Sequence, residues 1–510
     1  MMRKLLMTRA RGQAHWIAMA LILAAAPAVA ADSAERSFRH AEGILREGKT
    51  QEARDAFRRV VQSYPESPLA DDALYRLATM DFHPAGLDEL TRRQVRGAAK
   101  AFPLLENIRS DYAESDRAAD ARYLQGLAHL VPGSKEYDLD RAFAAFREVV
   151  DVHPDSAAAP GALRATAAVE LRAGHPGRAL LYLERLLLEH PSHPETQRAR
   201  LDAADAYLRL GLVREALVRL APLQAASGPE AEAALDLGTL LTTLDIAKPS
   251  GVRAPQSVPD FLHAEGSLRS ATSLVVDGQG RLHVLADNGK KILRLNAAGG
   301  IEEERAVQNA RVLFREPGGA IGWASADTLH LSSGTVNPHR PSGSSTRPVN
   351  DMIQVAVGAD GTFFVLESRG TEVLWLNGDG RLRALVAEPG KAVDLALDRQ
   401  GRVYILDART REVLVRDPDG RDRGSMQLSE DPARVQIPRA LAVDDAYHVY
   451  VLDGKTKDVL ILGDAGRLLA RLHTDPDSAE AMRDPRTFTV SNSGALFVYD
   501  ARARVVRSFR

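Results

Sequence analysis

With no cysteine anywhere in the chain, the residues that could carry chemistry are histidines, carboxylates and arginines. Thiolate metal sites, iron–sulfur clusters, disulfides and thiol-linked lipid anchors are excluded at once. His190 and His193, in His190-Pro191-Ser192-His193-Pro194, have the look of a ligand pair. No third ligand stands nearby, however, and the prolines point to a loop. Six more histidines, His263, His283, His330, His339, His448 and His473, lie in the second half at differing positions of its repeats. They form no His-Glu-x-x-His pair, and neither a nucleophile elbow nor a phosphate-cradling glycine loop accompanies them. Asp407, Asp453 and Asp500 recur at one position of a repeat, where a carboxylate is expected to cap a turn.

Ser273, Gln354, Asp394, Arg439 and Arg486 stand at the starts of apolar β-type runs, with Asn350 and Asp351 just before one of them. Two arginines facing one aspartate make an ion-paired plug or a site for an acidic group. A metal cage needs several oxygen donors and no cations. No catalytic, metal-binding or cofactor-binding residue is therefore assigned. Ser273, Asn350, Gln354, Asp394, Arg439 and Arg486 are candidate binding residues. The insert between Asn337 and Asn350, rich in proline, serine and basic residues, is a candidate contact loop through His339, Arg340 and Arg347.

Two sets of repeats must position these residues. In the first half Ala53, Phe57 and Tyr64-Pro65 recur as Ala101, Leu105 and Tyr112-Ala113, as Ala142, Phe146 and His153-Pro154, and as Ala179, Leu183 and His190-Pro191. Anchors four and then seven residues apart fall on one side of a helix. Where Tyr-Pro or His-Pro closes a copy, proline ends the helix by breaking its hydrogen-bond ladder. The intervals between copies are 48, 41 and 37 residues, which predicts helix hairpins with enlarged loops. Around Lys248 to Pro255 the helical period stops, and a linker over 247–257 is expected there.

Beyond the linker the period becomes two, punctuated by Gly and Asp turns. Leu274 to Asp287 is echoed by Leu395 to Asp407, with further copies through Val365, Val451 and Val498. The central residues Val365, Ile405, Val451 and Val498 are 40, 46 and 47 apart, and the interval of 81 from Val284 to Val365 holds one more copy near 320–333. Each copy reads as a four-stranded antiparallel blade, six in all. The last has sequence for three strands only, so Asp260-Phe261-Leu262-His263-Ala264 is expected to supply its outer strand and remove an exposed edge.

The pattern from Ala53 to Tyr75 resembles the tetratricopeptide repeats of periplasmic envelope proteins, whose unit is about 34 residues. The motif Gly-x-Leu-Tyr-Val-x-Asp followed by an apolar strand, kept best in Gly401 to Leu414 and more loosely in Gly280 to Leu293, resembles the NHL repeat. The expected fold class is α+β multidomain, an N-terminal α-solenoid of TPR-like helix hairpins (31–246) followed by an all-β six-bladed propeller (258–510). Resemblance to six-bladed propellers implies that ligands meet the starts of the inner strands. Lactonases and lyases of this shape work there, so a propeller enzyme with a helical docking arm is the alternative to a binding role.

Arg3, Lys4, Arg9 and Arg11, the apolar stretch Trp16 to Ala26 and Ala28-Val29-Ala30 read as a signal peptide over 1–30, too short in its apolar core to span a membrane. Export to the periplasm or beyond is expected, with no membrane span in the mature chain. The 510 residues carry 66 basic and 68 acidic side chains, a net charge of -2, so no overall positive field draws nucleic acid or anionic lipid. Aromatic residues at 5% offer few platforms for envelope polysaccharide or peptidoglycan. The expectation is a non-enzymatic scaffold or adaptor whose halves each bind a protein of the cell envelope, without a cofactor.

Overall fold

A computed structural model describes residues 32–242, 268 and 270–509, apart from 85, 91, 132–133, 297–298, 343–344, 368, 464–465, 475–476, 478–480 and 492–493. The expected signal peptide, the linker and the segment 260–264 lie outside the described residues. Eleven α-helices occur among the described residues: α1 (32–46), α2 (Thr50–Ser63), α3 (Ala70–Asp81), α4 (Val95–Asp111), α5 (Ala118–His129), α6 (Leu139–Val152), α7 (Ala159–Arg172), α8 (Pro176–Glu189), α9 (Glu195–Arg209), α10 (Val213–Gln224) and α11 (Pro229–Leu241). No helix among the described residues is long and apolar enough to cross a membrane.

Two compact units result. One runs to Val169 and takes in Leu188–Glu195; the other comprises Glu170–Leu187 and everything from Thr196 onward. In the first unit the repeated anchors form the core. Ala53, Phe57, Ala101, Leu105, Ala142 and Phe146 are each at most 1% exposed, because their spacing keeps them on one stripe of α2, α4 and α6. Tyr64, Tyr112 and His153 are the C-terminal caps of those helices. Gly126 of α5 lets the Phe146 ring of α6 lie against its backbone, since a Cβ there would fall 2.4 Å from that ring. Asp138 starts α6 by accepting a 3.0 Å hydrogen bond from the Arg141 N–H, the usual work of an N-cap carboxylate.

The second unit holds six antiparallel sheets. Blade 1 is β1 (Ser273–Val276), β2 (Leu282–Ala286), β3 (Lys291–Leu295) and β4 (Ile301–Ala306); blade 2 is β5 (Val312–Arg315), β6 (Ile321–Ala324), β7 (Leu329–Leu331) and β8 (Gly334–Val336). A separate hairpin follows, β9 (His339–Ser342) and β10 (Ser345–Pro348). Blade 3 is β11 (Met352–Val357), β12 (Phe363–Glu367), β13 (Val373–Leu376) and β14 (Leu382–Ala387); blade 4 is β15 (Ala392–Leu397), β16 (Val403–Asp407), β17 (Glu412–Arg416) and β18 (Asp422–Gln427). Blade 5 is β19 (Pro438–Val443), β20 (Val449–Asp453), β21 (Val459–Leu462) and β22 (Leu468–Leu472), and blade 6 is β23 (Pro485–Val490), β24 (Leu496–Asp500) and β25 (Val505–Phe509). The first strands β1, β5, β11, β15, β19 and β23 are neighbours in cyclic order, β23 meeting β1. The ring therefore closes as a six-bladed propeller, with the second blade where the 81-residue interval requires it. In blade 6 three strands lie among the described residues.

Alternation seats apolar side chains between blades. Val284, Val365, Ile405, Val451 and Val498, the central residues of the second strands, are fully buried, as expected of a strand covered on both faces. The second unit also contains α9, α10 and α11. Ala216, Leu220, Leu223, Ala234, Leu237, Leu240 and Leu241 share one apolar cluster with Ala440, Tyr450, Phe488, Leu496 and Phe509 of blades 5 and 6.

Candidate functional site

The starts of the inner strands and the turns after the second strands share one end of the propeller. Three carboxylates hold that end together. Asp407 accepts from the backbone N–H groups of Gly390 (2.6 Å), Lys391 (3.1 Å) and Arg409 (2.8 Å). Asp453 accepts from Gln436, Ile437 and Lys455, each at 2.9 Å. Asp500 accepts from Arg483 (2.6 Å), Asp484 (3.1 Å), Arg502 (3.0 Å) and Ala503 (3.1 Å). Each caps the turn behind it and also pins the entry of its own blade's first strand. All three are buried and their lone pairs are occupied, which is the structural role expected of them.

The candidate ring residues separate into two groups. Opposite Leu285, Leu366, Leu406, Leu452 and Tyr499 in the strand registers stand Ser273, Gln354, Asp394, Ala440 and Thr487. Ser273, Gln354 and Asp394 thus belong to one layer. Ser273 Oγ accepts from the Leu313 N–H of blade 2 at 3.1 Å. Gln354 donates through Nε2 to Asp394 Oδ1, and Asp394 also accepts from the N–H groups of Leu395 (2.8 Å) and, in blade 5, Leu441 (2.8 Å). These side chains stitch adjacent blades together near the axis.

Arg439 and Arg486 are not in that layer. A register shift lies between Pro438 and Ala440 and another between Pro485 and Thr487, so each arginine is the extra residue of a β-bulge, which aims it elsewhere. Both reach Asp484: Arg439 Nη1 donates to Oδ1 at 3.0 Å and Arg486 Nε to Oδ2 at 2.9 Å. Burial raises the Asp484 pKa, but the two guanidinium groups outweigh it and hold the carboxyl below its usual range. Two arginines do face one aspartate, and it is Asp484. The alternation visible in the sequence gave no sign of a bulge, so Asp484 and the layer members Ala440 and Thr487 escaped notice there. Asn350 is exposed beside Asp351, whose carboxylate pairs with Arg311 at 2.9 Å.

Burial pushes Asp394 up to about 6, against the hydrogen bonds from Gln354, Leu441 and Leu395 that pull it down. The native state therefore binds a proton more tightly than the unfolded chain, whose ordinary value is 3.8. Stability linked to this group is fully present below the unfolded value and is lost as pH rises through about 6, by roughly 3 kcal/mol at most. Asp394→Asn is expected to remove that slope. The unfolding free energy of the native chain minus that of the variant should fall between pH ~4 and ~6 and level off above ~7. A difference independent of pH would refute the assignment.

The insert singled out as a contact loop is the β9–β10 hairpin, with Arg340 opposite Arg347. Arg340 is partly buried and pairs with Glu372 at 2.6 Å and Glu367 at 3.4 Å, both of blade 3. Arg347 is exposed. His339 Nδ1 lies 3.0 Å from the Asn337 carbonyl. The other histidines also serve structure: His283 contacts Asp277, His448 contacts Asp444, His473 contacts Asp458, and His330 stacks on Trp323. Burial and the nearby Arg305 lower the His330 pKa. The Glu195 N–H donates to His193 Nδ1 at 3.2 Å, in keeping with the loop reading of that pair. His263 lies outside the described residues. No group of three or more His, Asp or Glu among the described residues is arranged to hold a metal ion.

In the helical unit, α2, α3 and α4 enclose an open groove of about 670 Å³, lined by Arg54, Arg58, Leu74, Leu77, Lys100 and Leu104 among others. Arg54 pairs with Asp81 through 2.6 and 3.2 Å hydrogen bonds. The groove's lining mixes charged and apolar side chains, and its cations have partners: Arg54 and Lys100 pair with Asp81, and Arg58 with Asp55.

A tetratricopeptide-repeat family model matches residues 34–67, which are the α1–α2 hairpin with its Tyr64-Pro65 stop. That hairpin is similar to a tetratricopeptide repeat. The repeat and its successors form a helical, protein-interaction type of architecture joined to a six-bladed propeller. No curated protein matches the chain. Solved structures with similar shape include a streptogramin B lyase at 13% identity, covering 47% of this chain and 78% of that one with a TM-score of 0.35. A virginiamycin B lyase from Staphylococcus aureus follows at 12% identity, covering 48% and 85%, TM-score 0.35. A calcium-binding regucalcin from Agrobacterium tumefaciens is similar at 11% identity, covering 51% and 95%, TM-score 0.37. Likeness at this level carries no argument about activity.

Proposed function

We propose that this chain is a non-enzymatic scaffold of the bacterial cell envelope, exported to the periplasm, whose tetratricopeptide repeats and propeller each hold a protein partner. The observation that carries the reading is the groove of α2–α4. Exposed Arg58 and Lys100 line it together with Val61 and Leu104, which fits an extended or helical segment bearing acidic and apolar side chains. At the propeller end, the polar residues that an enzyme would use are engaged in holding strands together: Asp394 with Gln354 and Leu441, Asp407 with Gly390 and Lys391.

Affinity capture from a periplasmic extract with the full chain tests the proposal. Specific partners are expected. Arg58→Glu/Lys100→Glu, two surface changes that leave the helix cores intact, is expected to lose at least one of them about tenfold. Capture of no protein by the native chain, or the same set by both, would overturn the reading for the helical half.

A further inference from the structure

The turns between second and third strands carry a second repeat laid over the blade repeat. In blades 4, 5 and 6 the capping aspartate is followed by basic residues two and four positions on: Asp407-Ala-Arg409-Thr-Arg411, Asp453-Gly-Lys455-Thr-Lys457 and Asp500-Ala-Arg502-Ala-Arg504. Blade 3 keeps the first of these positions as Arg369. The N–H groups of Arg409, Lys455 and Arg502 donate to their own turn's aspartate at 2.8, 2.9 and 3.0 Å, so each side chain leaves from a fixed backbone. All but the half-buried Arg411 are exposed, and none of the seven makes an ion pair among the described residues. The turn residues between them are Ala, Gly and Thr, which leave the cations uncovered.

A second observation is the backbone at the later cation of each turn. Arg411, Lys457 and Arg504 have φ of 58°, 65° and 59°, the left-handed region in which glycine or asparagine sits with less strain. Three equivalent positions keep a long cation where the backbone disfavours it, and strain of this kind collects where side chains have work to do.

We infer that these turns form a basic arc across blades 3 to 6 that docks an extended acidic segment of a protein partner. The inference rests on the scaffold reading above and supplies the partner's chemistry for the propeller. Carboxylates suit the arc because arginine takes them in a bidentate fork and lysine as a point charge. A long polyanion such as nucleic acid would run past the arc over a chain of net charge -2, and the turns offer it no aromatic ring for stacking. Arg347 on the β9–β10 hairpin extends the arc at its blade 3 end, while Asp484 is already shared by Arg439 and Arg486.

Fluorescence anisotropy with a labelled oligo-glutamate of about twelve residues tests the inference on the full chain, with ionic strength raised from ~0.05 to ~0.2 M. Binding that weakens with salt is expected, and Arg409→Ala/Lys455→Ala/Arg502→Ala should weaken it about tenfold and flatten the salt dependence. Arg421→Ala/Arg423→Ala/Arg467→Ala, on or next to turns between third and fourth strands at the other end, should leave it unchanged. Equal loss in both triple variants, no binding by the native chain, or tighter binding of a single-stranded oligonucleotide of the same length would each overturn it. If the native chain nonetheless captures envelope proteins, the inference fails alone; if it captures none, the scaffold reading fails with it.

Discussion

Leu241→Asp is expected to unfold α11 and blades 5 and 6 together. Leu241 is 0% exposed and Leu240 4% exposed, and both sit in the cluster that runs from α9–α11 into β19, β20, β23, β24 and β25. The junction is close-packed. A Cβ on Gly494, in the β23–β24 turn, would fall 2.6 Å from Leu240 Cδ1. Polar groups reinforce it: Tyr447, in the β19–β20 turn, donates its hydroxyl to Asp205 of α9, and Arg209 bridges Tyr447 at 3.2 Å and Asp205 at 2.8 Å. Truncating a buried leucine costs about 2–5 kcal/mol, and an unpaired buried carboxylate adds several more, a large share of a domain's total of roughly 5–15 kcal/mol. Leu241→Met keeps the volume and should cost less than ~1.5 kcal/mol. Calorimetry and limited proteolysis would register the aspartate variant as loss of the propeller transition and early cleavage within blades 5 and 6. An unaltered propeller transition, with cleavage confined to α11, would mean that the helices contribute nothing to it.

Removing a turn carboxylate is the second large effect. Asp453→Ala leaves the N–H groups of Gln436, Ile437 and Lys455 without the acceptor that binds all three at 2.9 Å. Each buried donor so abandoned costs about 1–3 kcal/mol, although the exposure of Gln436, Ile437 and Lys455 lets water recover part of it. A net loss of about 3 kcal/mol is expected, read as a fall in the midpoint of denaturant unfolding. Asp453→Asn should lose roughly half as much, because its amide oxygen still accepts. Equal midpoints for the native chain and Asp453→Ala would show that the carboxylate has no holding role. The same substitution reorients Lys455, so binding to the basic arc should be measured on the arginine and lysine variants, whose aspartates stay in place.

Much of this molecule is written locally. Ala53, Phe57 and Tyr64-Pro65 form a helix face and its stop within fifteen residues, so their recurrence is enough to predict hairpins before any tertiary contact is known. The propeller is legible for a similar reason: Gly-Arg-Val-Tyr-Ile-Leu-Asp in 401–407 records a turn, a strand buried on both faces and a capping acid in consecutive positions. The sequence alone therefore determined the order of the two repeat types, the blade number and the structural duty of Asp407, Asp453 and Asp500.

Tertiary structure decided what depends on a one-residue shift or on a surface meeting another surface. The bulges at Arg439 and Arg486 leave the apolar alternation of β19 and β23 nearly intact, so the pattern places both arginines in the ring while the backbone turns them to Asp484. The seam between α11 and the blades is another case. Leu237, Leu240 and Leu241 announce burial, and a sequence cannot say against which element, because apolar contact is non-directional and many partners satisfy it equally. Only the folded chain shows that the answer is Phe488, Leu496 and Phe509, some 250 residues further on.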